Sequence, residues 1–231
     1  MRLCHCLVPA LLLCLASPIA ARNVDVSASV SGVSDYRFRG ISLSDEDPAL
    51  QASLGVDHES GFYAAAWGST LDDTPLYGAV ELDLYGGWRR EVASGTTLDV
   101  GLLYYLYPDG EDLAGPSDFA EPYASITHNF GPVTGKIGAA YAWEQAATGG
   151  GNNLFVYTDW TTMLPGTPVT LKAHLGHSDG TLSPTGDYFE WLIGADFAVG
   201  PAVIGLAYVD SDLEPGPNVD AAIVASLNFS F

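Results

Sequence analysis

Ala221-Ala-Ile-Val-Ala-Ser-Leu-Asn-Phe-Ser-Phe231 is the stretch on which the reading of this chain turns. Taken in steps of two, one face carries Ala221, Ile223, Ala225, Leu227, Phe229 and Phe231. The other carries Ala222, Val224, Ser226, Asn228 and Ser230. Successive side chains of a strand point to opposite faces, so this is a strand apolar on one side and increasingly polar on the other. A soluble sheet normally blunts such an edge with charge or proline, and neither occurs after Asp220. A closed transmembrane barrel needs no blunting, because its last strand pairs with its first and leaves no edge.

Working outward from this terminus, the same alternation recurs along the chain. Twelve segments show it, near 24–38, 49–58, 62–70, 79–89, 96–107, 119–130, 135–145, 153–161, 169–177, 187–198, 202–210 and 220–231. The clearest sets are Leu98, Val100, Leu102, Tyr104, Leu106; Ile137, Ala139, Tyr141, Trp143; and Phe189, Trp191, Ile193, Ala195, Phe197. No helical period of comparable length competes. These patterns predict an all-β fold, a transmembrane antiparallel up-and-down β-barrel of about 12 strands. The terminal Phe231, with apolar residues at alternating positions before it, also resembles the C-terminal pattern of bacterial outer-membrane proteins.

The connections sort into two kinds. Glu59-Ser60-Gly61, 92–95, 131–134, 164–168 and 199–201 read as compact turns. The alternate ones are more acidic and mostly longer: Asp45-Glu46-Asp47, Asp72-Asp73, 109–118, 178–186 and 211–219, with 146–152 uncharged. Short periplasmic turns alternating with longer external loops is the barrel expectation. Aromatic residues then fall into two girdles. Tyr36, Phe38, Trp67, Tyr104, Trp143, Tyr157, Phe189, Trp191 and Tyr208 are expected near the outer ends. Phe62, Trp88, Phe130, Trp160, Phe197, Phe229 and Phe231 are expected near the periplasmic ends.

Residues 1–21 read as a cleaved secretory signal: Arg2, an apolar run from Leu7 to Leu15, and small residues at Ala20-Ala21. Residues 22–231 are then the barrel. Cys4, Cys6 and Cys14 all lie in the signal, so the exported chain carries no cysteine. The formal net charge of the full chain is −20, and loss of Arg2 leaves 28 acidic residues against seven basic ones. Such a balance excludes a nucleic-acid partner, which needs a basic surface. Its apolar and aromatic content, 48% and 11%, excludes a disordered acidic chain.

Val33-Ser-Asp-Tyr-Arg-Phe-Arg-Gly-Ile-Ser-Leu-Ser-Asp-Glu-Asp-Pro-Ala-Leu-Gln51 and His58-Glu-Ser-Gly-Phe-Tyr-Ala-Ala-Ala-Trp-Gly-Ser69 resemble the TorF family of porins. The pieces Tyr-Arg-Phe-Arg-Gly-Ile-Ser, Pro-Ala-Leu-Gln and Gly-Phe-Tyr…Trp-Gly-Ser carry the resemblance over the first three strands. It implies a bacterial outer-membrane barrel, and speaks more to fold than to function.

Alternation also assigns a lumen. With Val24, Val26, Ala28 and Val30 outward, Arg37 and Arg39 face inward, flanked by outward Tyr36 and Phe38. The arginines either form a positive element in an acidic mouth or brace the wall and first loop through bidentate pairing with carboxylates. Glu81, Asp83, Asp99, Lys136, Glu144, Asp159, Lys172, His174, Glu190 and Asp196 take the non-apolar side of their strands, as the cost of an ionisable group facing lipid requires. The set predicts a narrow, weakly cation-selective path for small polar solutes, crowded by Arg37, Arg39, Tyr85, Tyr105 and Glu190.

Alternative roles are a structural or adhesive surface barrel and a lipid-modifying enzyme. The enzyme reading is weak: His174 and His177 lie near Ser178, but strand positions three apart face opposite sides. No cofactor is expected. Asp45-Glu46-Asp47 lacks the ordered spacing of a calcium loop, so solvated loops touching outer-membrane lipids and lipopolysaccharide are the expectation there.

Overall fold

The computed structural model describes residues 23–110 and 115–231. The expected signal at 1–21 lies outside the described residues, as do residues 111–114 of one long connection. The first strand, β1, spans Val24–Val33. A short hairpin follows, β2 Arg37–Phe38 and β3 Ile41–Ser42. Next come β4 Ala49–His58, β5 Phe62–Thr74, β6 Gly78–Ala93, β7 Thr96–Leu106 and β8 Phe119–Asn129. The remainder are β9 Val133–Ala142, β10 Asn153–Met163, β11 Val169–Gly180, β12 Asp187–Val199, β13 Ala202–Ser211 and β14 Ala222–Ser230. Apart from β2 and β3, these strands close into an antiparallel barrel of twelve, each paired with its sequence neighbours and β1 with β14.

The terminal stretch closes the ring. Its pairs run from Ser29↔Ser230 to Val33↔Ser226. Beyond them, Ala28 N–H donates to the Phe231 carbonyl at 3.1 Å and Phe231 N–H to the Ala28 carbonyl at 2.9 Å. The fold is inverted relative to a water-soluble sheet. Val26 is 66% exposed on the outside, Ile193 66% and Ile223 62%, whereas Glu81 is 0% and Glu121 1% exposed inside. So large a continuous apolar exterior is unfavourable in water and suits hydrocarbon.

The expected first segment is too long. Its strand stops at Val33, and residues 34–48 fold back into the barrel. The cause is local. Arg39 and Gly40 both have positive φ, 49° and 84°, and join the pair Phe38↔Ile41 by the two-residue turn that matches strand twist. Asp35 then clamps the base, accepting from Ser42 Oγ at 2.6 Å. Tyr36 and Phe38 are therefore not outward. Tyr36 packs on Trp67 with ring centroids 5.3 Å apart, and Phe38 meets Tyr105 edge-on at 5.6 Å.

Two further expectations are corrected. Trp67 and Tyr157 point into the lumen instead of joining an outer girdle. Asp72-Asp73 is no loop: β5 and β6 stay paired as far as Thr74↔Gly78 by shifting register after Thr70.

Candidate functional site

The inserted segment is held by buried charge. Asp35 accepts from Arg37 Nε at 2.5 Å, and Arg37 Nη1 donates to the carbonyls of Gly40 at 3.1 Å and Asp220 at 2.7 Å. Arg39 Nη2 donates to Glu121 Oε2 at 2.7 Å, and the same oxygen accepts from Tyr105 Oη at 3.1 Å. The Arg39 guanidinium lies over Phe38 and Phe155, 4.7 and 4.3 Å from their ring centres. Burial alone would lower its pKa, but the Glu121 carboxylate outweighs this and leaves it raised. Tyr188 Oη donates to the Arg39 carbonyl at 2.9 Å.

Gly40 makes the docking possible. A Cβ there would lie 2.9 Å from Glu190 Cβ on β12, on a backbone angle that side chains avoid. Backbone bonds add two anchors: Ser42 N–H to the Asn218 carbonyl at 2.7 Å and Asp72 N–H to the Leu43 carbonyl at 2.9 Å.

The segment leaves open volume on either side. One cavity, about 460 Å³, is bounded by Arg37, Gln51, Lys172, His174, Glu190 and the small wall residues Gly205, Ala207 and Ser226. The other, about 370 Å³, is bounded by Asp83, Tyr85, Tyr105, Glu121, Tyr123 and Tyr157. Arg39, Trp67 and Phe155 border both. The tyrosines of the second cavity lie flat on the wall because glycines face them. A Cβ on Gly101 would strike the Tyr123 ring and one on Gly138 the Tyr157 ring, each at 2.5 Å.

Charge in and behind the wall of the first cavity is matched. Lys172 Nζ donates to Asp196 Oδ1 at 2.6 Å. His174 sits between Asp159 Oδ1 and Glu190 Oε1, each 2.6 Å from a ring nitrogen, an arrangement suited to imidazolium. Lys136 reaches Asp159 at 4.0 Å and lies over Tyr157, 5.1 Å from the ring centre. Asp99 accepts from Tyr63 Oη at 2.6 Å, and Tyr63 is hydrogen-bonded to Tyr123. Toward the short-turn end, Arg89 pairs with Asp57 at 2.6 Å. In contrast, among the described residues no ion pair reaches Glu81 or Asp83, and Asp83 Oδ1 and Glu121 Oε1 are buried without a hydrogen-bond partner.

Of the residues singled out by alternation, Glu144 is misplaced. Strand β9 ends at Ala142, and the chain bends so that the Gln145 side chain can bridge the Ala120 backbone, at 2.9 Å to its N–H and 2.8 Å to its carbonyl. Glu144 is left exposed on that bend. Alternation also overlooked Asp35 and Glu121, the carboxylates that hold the two arginines. Glu121 was legible, since it shares the inward register of Tyr123 and Ser125; Asp35 belongs to no strand. His177 packs on Phe189 at 4.4 Å, whereas Ser178 is buried and bonded by Asn153 Nδ2 at 3.0 Å, so no nucleophile–base pair forms there. Among the described residues no group of three or more His, Cys, Asp or Glu is arranged to hold a metal ion.

No protein of curated function matches the sequence. Among solved structures, the NanC porin aligns with a TM-score of 0.61 at 13% identity, covering 88% of this chain and 98% of that one. An outer membrane channel from Pseudomonas putida F1 aligns with a TM-score of 0.51 at 10% identity, covering 93% and 96%. At such identities the likeness is one of fold. A family model described as a bacterial protein of unknown function, Gcw_chp, matches residues 18–225. That match spans most of the sequence, and the chain belongs to the Gcw_chp family.

Proposed function

We propose that this protein is an outer-membrane channel for passive diffusion of small polar solutes, narrow and weakly cation-selective. The observation that carries it is volume. Cavities of about 460 and 370 Å³ persist beside the inserted hairpin, each with ionisable groups in its wall, inside a barrel whose exterior is apolar. Twelve strands enclose more room than an eight-strand packed barrel and less than a general porin, and residues 34–48 narrow it further. Cation preference is supported by the neutralised arginines: Arg37 and Arg39 each face a carboxylate, while Glu81 and Asp83 face no base. Residues 1–21 act as the export signal in this reading. The porin folds of the neighbours and the resemblance to TorF porins support it, and the barrel is not an enzyme.

A second reading has one observation in its favour. Arg37 and Arg39 are buried and bonded, as braces of a plugged, structural barrel are. Single-channel recording in a planar bilayer under a salt gradient separates the two. The channel reading expects conductance with a reversal potential on the cation side. A reversal potential on the anion side rejects the selectivity, and silence over many insertions leaves the structural barrel.

A further inference from the structure

We propose that the aromatic cavity is a binding site for a small organic cation, an ammonium or guanidinium carried on an apolar body. This rests on the lumen reading above, though only for access to the cavity from at least one end.

The first argument is charge. The cavity is bounded by two carboxylates, Asp83 and Glu121, and by one cation, Arg39. Of the two carboxylates Arg39 pairs with Glu121, through Oε2. Asp83, 9% exposed, and Glu121, 1% exposed, each retain a buried oxygen with no partner, Oδ1 and Oε1. A buried acceptor without a donor is costly, and a buried anion without a counter-charge more so. A monocation bound in the cavity beside them supplies the missing counter-charge.

The second argument is the wall. Tyr85, Tyr105, Tyr123 and Tyr157 border the same space, and the face of an aromatic ring attracts a cation. The protein already uses this chemistry at the edge of the cavity, where Arg39 lies over Phe38 and Phe155 while paired with Glu121. Arg39 therefore marks which kind of group the environment favours.

The third argument is size. A volume of about 370 Å³ falls in the range of small-molecule pockets and far exceeds a bare metal ion. A hydrated inorganic cation would gain little from ring faces. An anion or zwitterion could address the free Nη1 of Arg39, but would add negative charge beside two carboxylates.

Calorimetric titration of the detergent-purified full chain with choline chloride tests the proposal, with sodium chloride at equal ionic strength as reference. Saturable binding of choline is expected, weakened about tenfold by Asp83→Asn and, without any change of charge, by Tyr123→Leu. Asp83→Asn keeps the shape of a carboxyl group that makes no ion pair and so does not threaten the fold. Absence of saturable choline binding, binding that neither variant weakens, or saturable binding of sodium acetate in its place would each overturn the site. Bilayer recording of the same preparation keeps the two readings apart. Choline binding without conductance removes the channel and leaves the site, and conductance without choline binding does the reverse.

Discussion

Two cavities beside the inserted hairpin, of about 460 and 370 Å³, differ in how their charges are met. In the larger one each acid has a base at hand: Asp35 has Arg37 and Glu190 has His174, while Asp196 and Asp159 behind the wall meet Lys172 and His174. Its remaining wall mixes small residues such as Gly205 and Ala207 with aliphatic ones such as Leu192 and Leu206. In the smaller one the wall is aromatic, and two buried carboxylate oxygens of its lining residues, Asp83 Oδ1 and Glu121 Oε1, have no donor. The difference separates two uses of lumen charge. Where partners are complete, ionisable groups hold the barrel and its inserted segment together. Where they are incomplete, the molecule is poised to meet something that comes from outside.

The strongest way to break this contrast is to unpair a brace. Glu121→Ala strands the Arg39 guanidinium, and loss of one partner of a buried pair costs about 3–5 kcal/mol. The hairpin should leave the lumen, lowering the thermal unfolding temperature in detergent and raising single-channel conductance. An unchanged unfolding temperature would mean that the pair braces nothing.

Gly40→Val attacks the same docking through shape. A left-handed backbone angle costs a side chain about 1–2 kcal/mol, and the added Cβ meets Glu190 Cβ at 2.9 Å. Conductance should again rise, by less than with Glu121→Ala, with the barrel still migrating as a folded species on unheated gels.

Selectivity should respond unequally to the two regions. Asp83→Asn removes an unmatched charge and should move the reversal potential toward the anion side. The double change Lys172→Met with Asp196→Asn removes a matched pair and should move it little. Equal shifts would erase the distinction drawn between the cavities.

The smallest effect is expected at the exposed pair. Arg89 and Asp57 are about half exposed, and such pairs contribute roughly 0–1 kcal/mol. Arg89→Ala should therefore barely alter the unfolding temperature.

The wall was legible in the sequence to within a few residues, from the strand at Ala49–His58 to the closing strand at Ala222–Ser230. A two-residue period with one apolar face, repeated over twelve segments with compact turns between alternate pairs, has few other solutions. Inward direction follows the same period, and Glu81, Asp83, Lys172, His174 and Glu190 lie on the inner side of the wall.

What alternation cannot carry is the path of a chain after its strand ends. Tyr36 and Phe38 continue the period of β1, yet Arg39-Gly40 turns them back into the lumen. Glu144 continues the period of β9, yet the bridge from Gln145 to Ala120 bends it away. Pairing of Arg37 with Asp35 and Arg39 with Glu121, and the unmatched state of Asp83, are likewise facts of three dimensions. Periodicity is a property of one strand and reports which side a residue faces. Which charge meets which depends on distances across the ring, between segments as far apart in sequence as Arg39 and Glu121, and only closure of the barrel sets those.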